Sequence, residues 1–297
     1  MYAWFDRLTM TVYEACPERV EGKGAAQQSR WIFNSLSRVD MNTQIAHKGP
    51  AIVLYCLDYG ESDRIVTFYT SDFGKIKGIA KGARRSKKRF SNALEPFSHG
   101  NVLFYKRGRG TLAFIEGFDI VDHYANIREE LEKTLISSYL IELVDKFTPE
   151  GKKNAELFHL LRNFLGLINT ESSLEALIRF FEIRLLKVMG YEPVLDRCTM
   201  CKKPVNENIS YHFIVNDGGL RCNTCYQNNS SSLDVSLGTI KTLLLGKEID
   251  MDRITRIILS DQIVKESKNI LVSLICHLIG KEIKSLHVLN EIREIGI

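Results

Sequence analysis

Between Ala51 and Asp122 apolar side chains fall on alternate positions, and beyond Tyr124 they recur every third or fourth residue. The first period belongs to a strand with one buried face, the second to a helix with one apolar stripe. Five runs carry the alternation: AIVLYCLDY, DRIVTFYT, KIKGIAKGA, NVLFYKR and TLAFIEGFDIVD. In the third, Ile76, Gly78 and Ala80 share one side, and SDFG and GRG provide turns between runs. Short strands with no helical run between them predict a small barrel or sandwich and argue against a parallel sheet.

Three helical segments follow, NIREELEKTLISSYLIELVDKF, NAELFHLLRNFLGLIN and SLEALIRFFEIRLLKVMG. Thr148, Pro149 and Gly151 separate the first two, and Gly190 closes the third as a C-cap. A cysteine-bearing stretch at 198–225 interrupts the helical texture, which returns in SLGTIKTLLLG and from Asp261 to Asn290. The last helices are expected to pack back on the first three. The fold class is therefore α+β, with a β unit at 45–123 and a helical unit at 124–297 that carries a metal module at 195–228. Residues 1–44 are rich in Gly, Gln and charge and place Trp4, Phe5, Trp31 and Phe33 without a period, which predicts poor order. Met41 stands just before the first strand region and is an alternative start of translation.

With 297 residues, 44% of them apolar, the chain can build more than one core. Its longest late apolar run, Ile270 to Gly280, is broken by Ser273 and His277 and falls short of the ~20 residues a membrane span needs. The N-terminus lacks the pattern of a secretory signal, so a cytoplasmic location is expected.

The net charge of +4 conceals an asymmetry. Eight of the 40 basic residues lie in KIKGIAKGARRSKKRF with no acid among them, and the rest of the chain carries 32 basic against 36 acidic residues. A local concentration of this kind points to a polyanion. Lys75, Lys77 and Lys81 share one face of the third strand, Arg84, Arg85, Lys87, Lys88 and Arg89 fill the loop after it, and Lys106, Arg107 and Arg109 mark the last turn. Antiparallel pairing is expected to bring the two groups to one side. The plain alternative is a solvated loop that aids solubility, but so many like charges repel one another until an anion arrives. Small barrels bind single strands with a cationic groove and aromatic stacking, and Phe68, Tyr69, Phe73, Phe90, Phe104 and Tyr105 are the candidates, about half of which must face the core.

CTMC at 198–201 and CNTC at 222–225 have the spacing of a four-thiolate zinc site. Cys198, Cys201, Cys222 and Cys225 would close a tetrahedron around one Zn2+ and leave no open position, so the expected role is structural. A redox dithiol needs a strand-to-helix setting that neither pair has. His212 lies between the knuckles as an ordinary hairpin residue, and Cys56 and Cys276 read as core thiols.

Two enzyme readings are weak. NDGG at 216–219 lacks the lysine that an adenylating ligase motif requires, and Glu129, Glu130 and Glu132, or Asp58, Glu61 and Asp63, fit a helix start and a turn better than a nuclease centre. No phosphate-binding loop is present. An RNA-binding barrel with zinc stays open.

The segments LDYGESDRIVTFYTSDFGKIKGIAKGARRSKKRF, LEPF at 94–97 and GYEPVLDRCTMCKKP occur in an order that resembles the bacterial RecO family of DNA repair and recombination mediators. The resemblance runs from about Ile45 to the C-terminus. It implies an N-terminal OB fold, a helical domain and a zinc-finger insertion. It further implies binding of single- and double-stranded DNA, annealing of complementary strands, and action with RecR and the tail of the single-stranded-DNA-binding protein SSB in loading RecA, without catalysis.

Overall fold

The computed structural model describes residues 45–86, 89–90, 93–106, 112–226 and 232–295. The expectations for residues 1–44, the Met41 start among them, lie outside the described residues. So do Lys87, Lys88, Arg107 and Arg109.

Five strands, β1 (Ala46–Tyr59), β2 (Asp63–Thr70), β3 (Gly74–Ala80), β4 (His99–Tyr105) and β5 (Ala113–Asp122), close into a barrel in the order β1-β2-β3-β5-β4. The architecture is OB-like. Alternation explains its interior: Ile76 and Ala80 of β3 point inward with Val66, Phe68, Val102, Phe104, Ile115 and Phe118. β1 is long enough to pair with β2 at one edge and β4 at the other, and its register shifts between Val53 and Tyr55 as it bends. Closure departs from the antiparallel expectation. β3 and β5 pair in parallel, Gly78 opposite Ala113 and Ile79 opposite Phe114. A Cβ on Gly78 would lie 2.5 Å from the Ile115 side chain and 2.8 Å from the Ala113 carbonyl oxygen, so the missing side chain is what admits β5.

Part of the outside of β1 and β2 is buried as well. Ile52, Leu54 and Tyr69 join a second core made with the helices α1 (Ala125–Glu129), α2 (Leu131–Phe147), α3 (Ala155–Thr170) and α4 (Glu175–Val188). The sequence period runs unbroken through α1 and α2, yet Glu130 is extended and divides them. Asn154 starts α3 by accepting from Leu157 N at 3.0 Å. A four-stranded sheet of β6 (Val194–Cys198), β7 (Tyr211–Ile214), β8 (Gly219–Cys222) and β9 (Ser232–Val235) then intervenes in the order β6-β8-β7-β9.

The chain re-enters the helical body through α5 (Leu237–Glu248), α6 (Met251–Ile254), α7 (Asp261–Ile279) and α8 (Lys284–Ile295). α7 stops at Gly280, whose φ of 68° only glycine adopts freely, so the periodic stretch from Asp261 to Asn290 is two helices. These helices pack back as expected. Arg184 of α4 donates to the Gly246 carbonyl of α5 at 2.8 Å, and Lys187 pairs with Glu248 at 2.8 Å. On α2 the buried Glu142 accepts from the Ser285 N–H at 2.8 Å and its hydroxyl at 2.6 Å, fixing the start of α8. Among the described residues no helix is long and apolar enough to cross a membrane.

Candidate nucleic-acid interface and metal centre

β3 carries the cationic stretch along one side of the barrel, and its register with β5 decides what stands beside it. Because the two strands are parallel with Gly78 opposite Ala113, Leu112 at the described end of the β4–β5 turn lies beside the first half of β3, and the Lys106 ammonium comes within 3.9 Å of where a Cβ on Gly151 would stand. Of the second basic group only Lys106 is among the described residues, and it stands near the start of β3, at the other end of the strand from Arg84, Arg85 and Arg89. The loop between α2 and α3 joins Lys106 there. Gly151 N donates to the Lys75 carbonyl at 3.0 Å, and a Cβ on Gly74, itself at φ +67°, would meet the Lys152 carbonyl oxygen at 2.3 Å. That seating places exposed Lys152 and Lys153 at the same end of the strand as exposed Lys106, an addition that composition could not reveal because a domain's length separates them in sequence. At ~3.3 Å per residue the seven residues of β3 span ~20 Å.

The individual charges are not equivalent. Lys75 turns to the helical body, donating to both the carboxylate and the carbonyl of Asp145 at 2.8 Å. Arg84 pairs with Asp58 at 3.3 Å, Arg85 reaches Glu61 at 3.9 Å, and Asp63 accepts from Gly82 N at 2.8 Å. The β1–β2 turn thus supplies the acid relief that the stretch lacks in sequence. Arg89 donates to the Lys81 carbonyl at 2.9 Å and lies over the Phe90 ring, while Lys81 is exposed and Lys77 partly buried.

Four of the six aromatic candidates are interior. Phe68, Phe90 and Phe104 fill the barrel, and Tyr69 lies between barrel and helices with its hydroxyl donating to the Asn154 carbonyl at 3.3 Å. Phe73 packs on the barrel core beside His47 and Phe104. Tyr105 alone of the six points outward and away from both cores.

The four cysteines meet as their spacing predicts. Parallel pairing of β6 and β8 puts Cys198 opposite Leu220, and the two knuckles therefore stand side by side. All four sulfurs lie within 4.8 Å of one another, and Cys201 and Cys222 are 3.8 Å apart. Tetrahedral bonds of ~2.3 Å to one ion require sulfurs ~3.8 Å apart, so the donor set fits a metal. Burial opposes ionisation of Cys198, but N–H groups of Cys222, Cys201 and Met200 outweigh it and draw its thiol down to about 6. His212 is outside the cluster, bonded to Asp234 across the β7–β9 pair at 2.8 Å and stacked on Tyr226. Among the described residues no other group of His, Cys, Asp and Glu converges this way. Glu130 pairs with Lys133, and Glu132 with Arg293, each in a separate ion pair.

Fold and site together define a class: proteins joining an OB-like barrel, one strand of which carries a cationic row, to a helical body with a four-cysteine sheet. The family model described as "Recombination protein O N terminal" matches residues 41–124, and "Recombination protein O C terminal" matches 128–287. The DNA repair protein RecO of Syntrophus aciditrophicus is 49% identical over 259 residues, covering 86% of this chain and 100% of that protein. The corresponding protein of Geobacter metallireducens is 35% identical over 243 residues, 82% of this chain and 96% of its own length. The chain belongs to the RecO family of DNA repair proteins.

Proposed function

We propose that this protein is a non-enzymatic recombination mediator that holds single- and double-stranded DNA on its barrel and brings complementary strands together. The observation that carries the reading is the gathering of basic side chains along β3 from three separate parts of the chain, with Lys77, Lys81, Arg89 and Lys106 from the predicted set and Lys152 and Lys153 from the α2–α3 loop. Arg84 and Arg85, tied to the acids of the β1–β2 turn, form its rim; Lys87, Lys88, Arg107 and Arg109 are assigned to it by their place in the sequence alone.

Annealing then needs no chemical step. Two polyanionic strands repel, and one cationic surface that engages both raises their local concentration while counterions are released. Base pairing supplies the driving force. Zn2+ is the ion that four thiolates at this spacing suit best, and with its coordination closed it would stabilise the β6–β9 sheet. RecR, the SSB tail and, indirectly, RecA are the partners that family membership supports, at the nucleoid in the cytoplasm. The test is annealing of complementary strands coated with SSB, with and without RecR. Acceleration over the protein-free rate is expected, and no acceleration in either arm overturns the proposal.

A further inference from the structure

On the outer face of the barrel, a row of apolar residues crosses four strands in register. Ile65 lies opposite Ile79, Ile79 opposite Phe114, and Phe114 opposite Tyr105. Their sequence neighbours Ala113, Ile115 and Phe104 fill the barrel, so strand alternation turns the row outward. Tyr105 and Phe114 are partly exposed, their ring centroids 6.5 Å apart at 42°, and neither packs on the barrel core or the helical core. Among the described residues these two rings pack on each other and belong to neither core.

Charge frames the row. Lys77 stands two residues before Ile79 on the same face of β3, Lys81 opens the turn just past the strand's end, and Lys106 follows Tyr105 directly. Glu116, partly buried, lies two residues from Phe114 on β5, and Asp119 farther along the strand is paired with Lys48. An apolar shelf edged by cations fits a ligand with flat apolar faces on an anionic chain, which is an unpaired nucleic-acid strand. A duplex offers the same phosphates, but its base faces are covered by their neighbours.

We infer that Tyr105 and Phe114 form a base-stacking shelf that gives the barrel its preference for single-stranded over double-stranded DNA. The inference rests on the proposed DNA-binding role of β3 and adds the side chains that read bases. Phosphate contacts made by the lysines hold either form, and the shelf holds the form whose bases are free.

The test uses the full chain with Tyr105→Leu and Phe114→Leu, alone and together, since leucine keeps apolar volume without a π face. Fluorescent oligothymidylate, an abasic phosphodiester of equal length and a duplex are titrated at one salt concentration. The parent protein should bind oligothymidylate about tenfold or more tighter than the abasic strand. The double variant should lose that difference while duplex affinity and salt slope stay unchanged, and Tyr105→Trp with Phe114→Tyr should retain it. Equal binding of thymidylate and abasic strands by the parent overturns the shelf and leaves the cationic strand standing. So does discrimination that survives in a folded double leucine variant, and the face would then be assigned to a protein partner. A parent that binds none of the three probes overturns the DNA-binding role itself.

Discussion

Replacing Lys75 with methionine separates the two roles that a lysine on β3 can have. The ammonium donates to both the carboxylate and the carbonyl of Asp145, and 14% and 20% of the two side chains are exposed. Exposed ion pairs contribute under about 1 kcal/mol, whereas removing one partner of a fully buried pair costs about 3–5 kcal/mol. A pair this sheltered falls between, and Lys75→Met should cost about 2 kcal/mol, an unsatisfied carbonyl included. For a chain of this size that lowers the melting temperature by about 3 °C. Thermal melting gives the first readout and an oligonucleotide salt titration the second. A double-mutant cycle with Asp145→Leu should return a coupling on the order of 1 kcal/mol. The salt slope should not move, because this charge is already engaged. A variant that melts like the parent but loses oligonucleotide affinity and salt dependence would refute the assignment and return Lys75 to the DNA face.

Changing Lys77, Lys81 and Lys106 together to glutamine should do the converse, making the log–log salt slope on single strands shallower by about 2 while leaving melting unchanged; an unaltered slope would mean these lysines do not meet phosphates. Cys222→Ser should abolish retention of zinc after dialysis and expose 198–226 to protease while oligonucleotide binding persists, and loss of binding in a still-folded variant would put the cysteine sheet in the DNA site. Burial, reinforced by Arg162 and opposed by Asp122, holds the His99 imidazole below its ordinary value. The unfolded chain therefore takes up a proton that the folded one resists, so stability should fall as pH drops through about 6.5 and level off above it. His99→Phe should flatten that part of a melting-temperature profile, and an unchanged profile would remove His99 as its cause.

Much of the architecture was legible because local periods report it. Alternation located the barrel strands, and three- and four-residue spacing located the helices. The cysteine module was readable for a stronger reason: two C-x-x-C turns twenty residues apart have few other uses. What stayed hidden depends on contacts between distant segments. The parallel β3–β5 pair joins residues thirty-five apart, and its local trace is one glycine in an otherwise apolar row. Alternation correctly sends Lys75 outward, but outward at that end of the barrel means toward α2. The same holds for Tyr69, since the last residues of β2 are covered on both faces. Asp58 and Glu61 looked like solvated turn acids until the fold set them against Arg84 and Arg85. Phe114 escaped notice because a phenylalanine in a strand is ordinarily core, and nothing nearby in sequence says otherwise.

The four-cysteine sheet leaves the helical body after Val188 and returns at Leu237, yet the helices on either side of that excursion are bound to each other directly through Arg184 and Lys187. Stripping the ion would accordingly free a tethered loop and not cut a path on which the rest of the protein hangs. Its anchor points stay put, the thiols remain at high mutual concentration, and recapture is a short search within one molecule. Metal starvation should thus yield a reversible, partly slackened protein whose barrel keeps working.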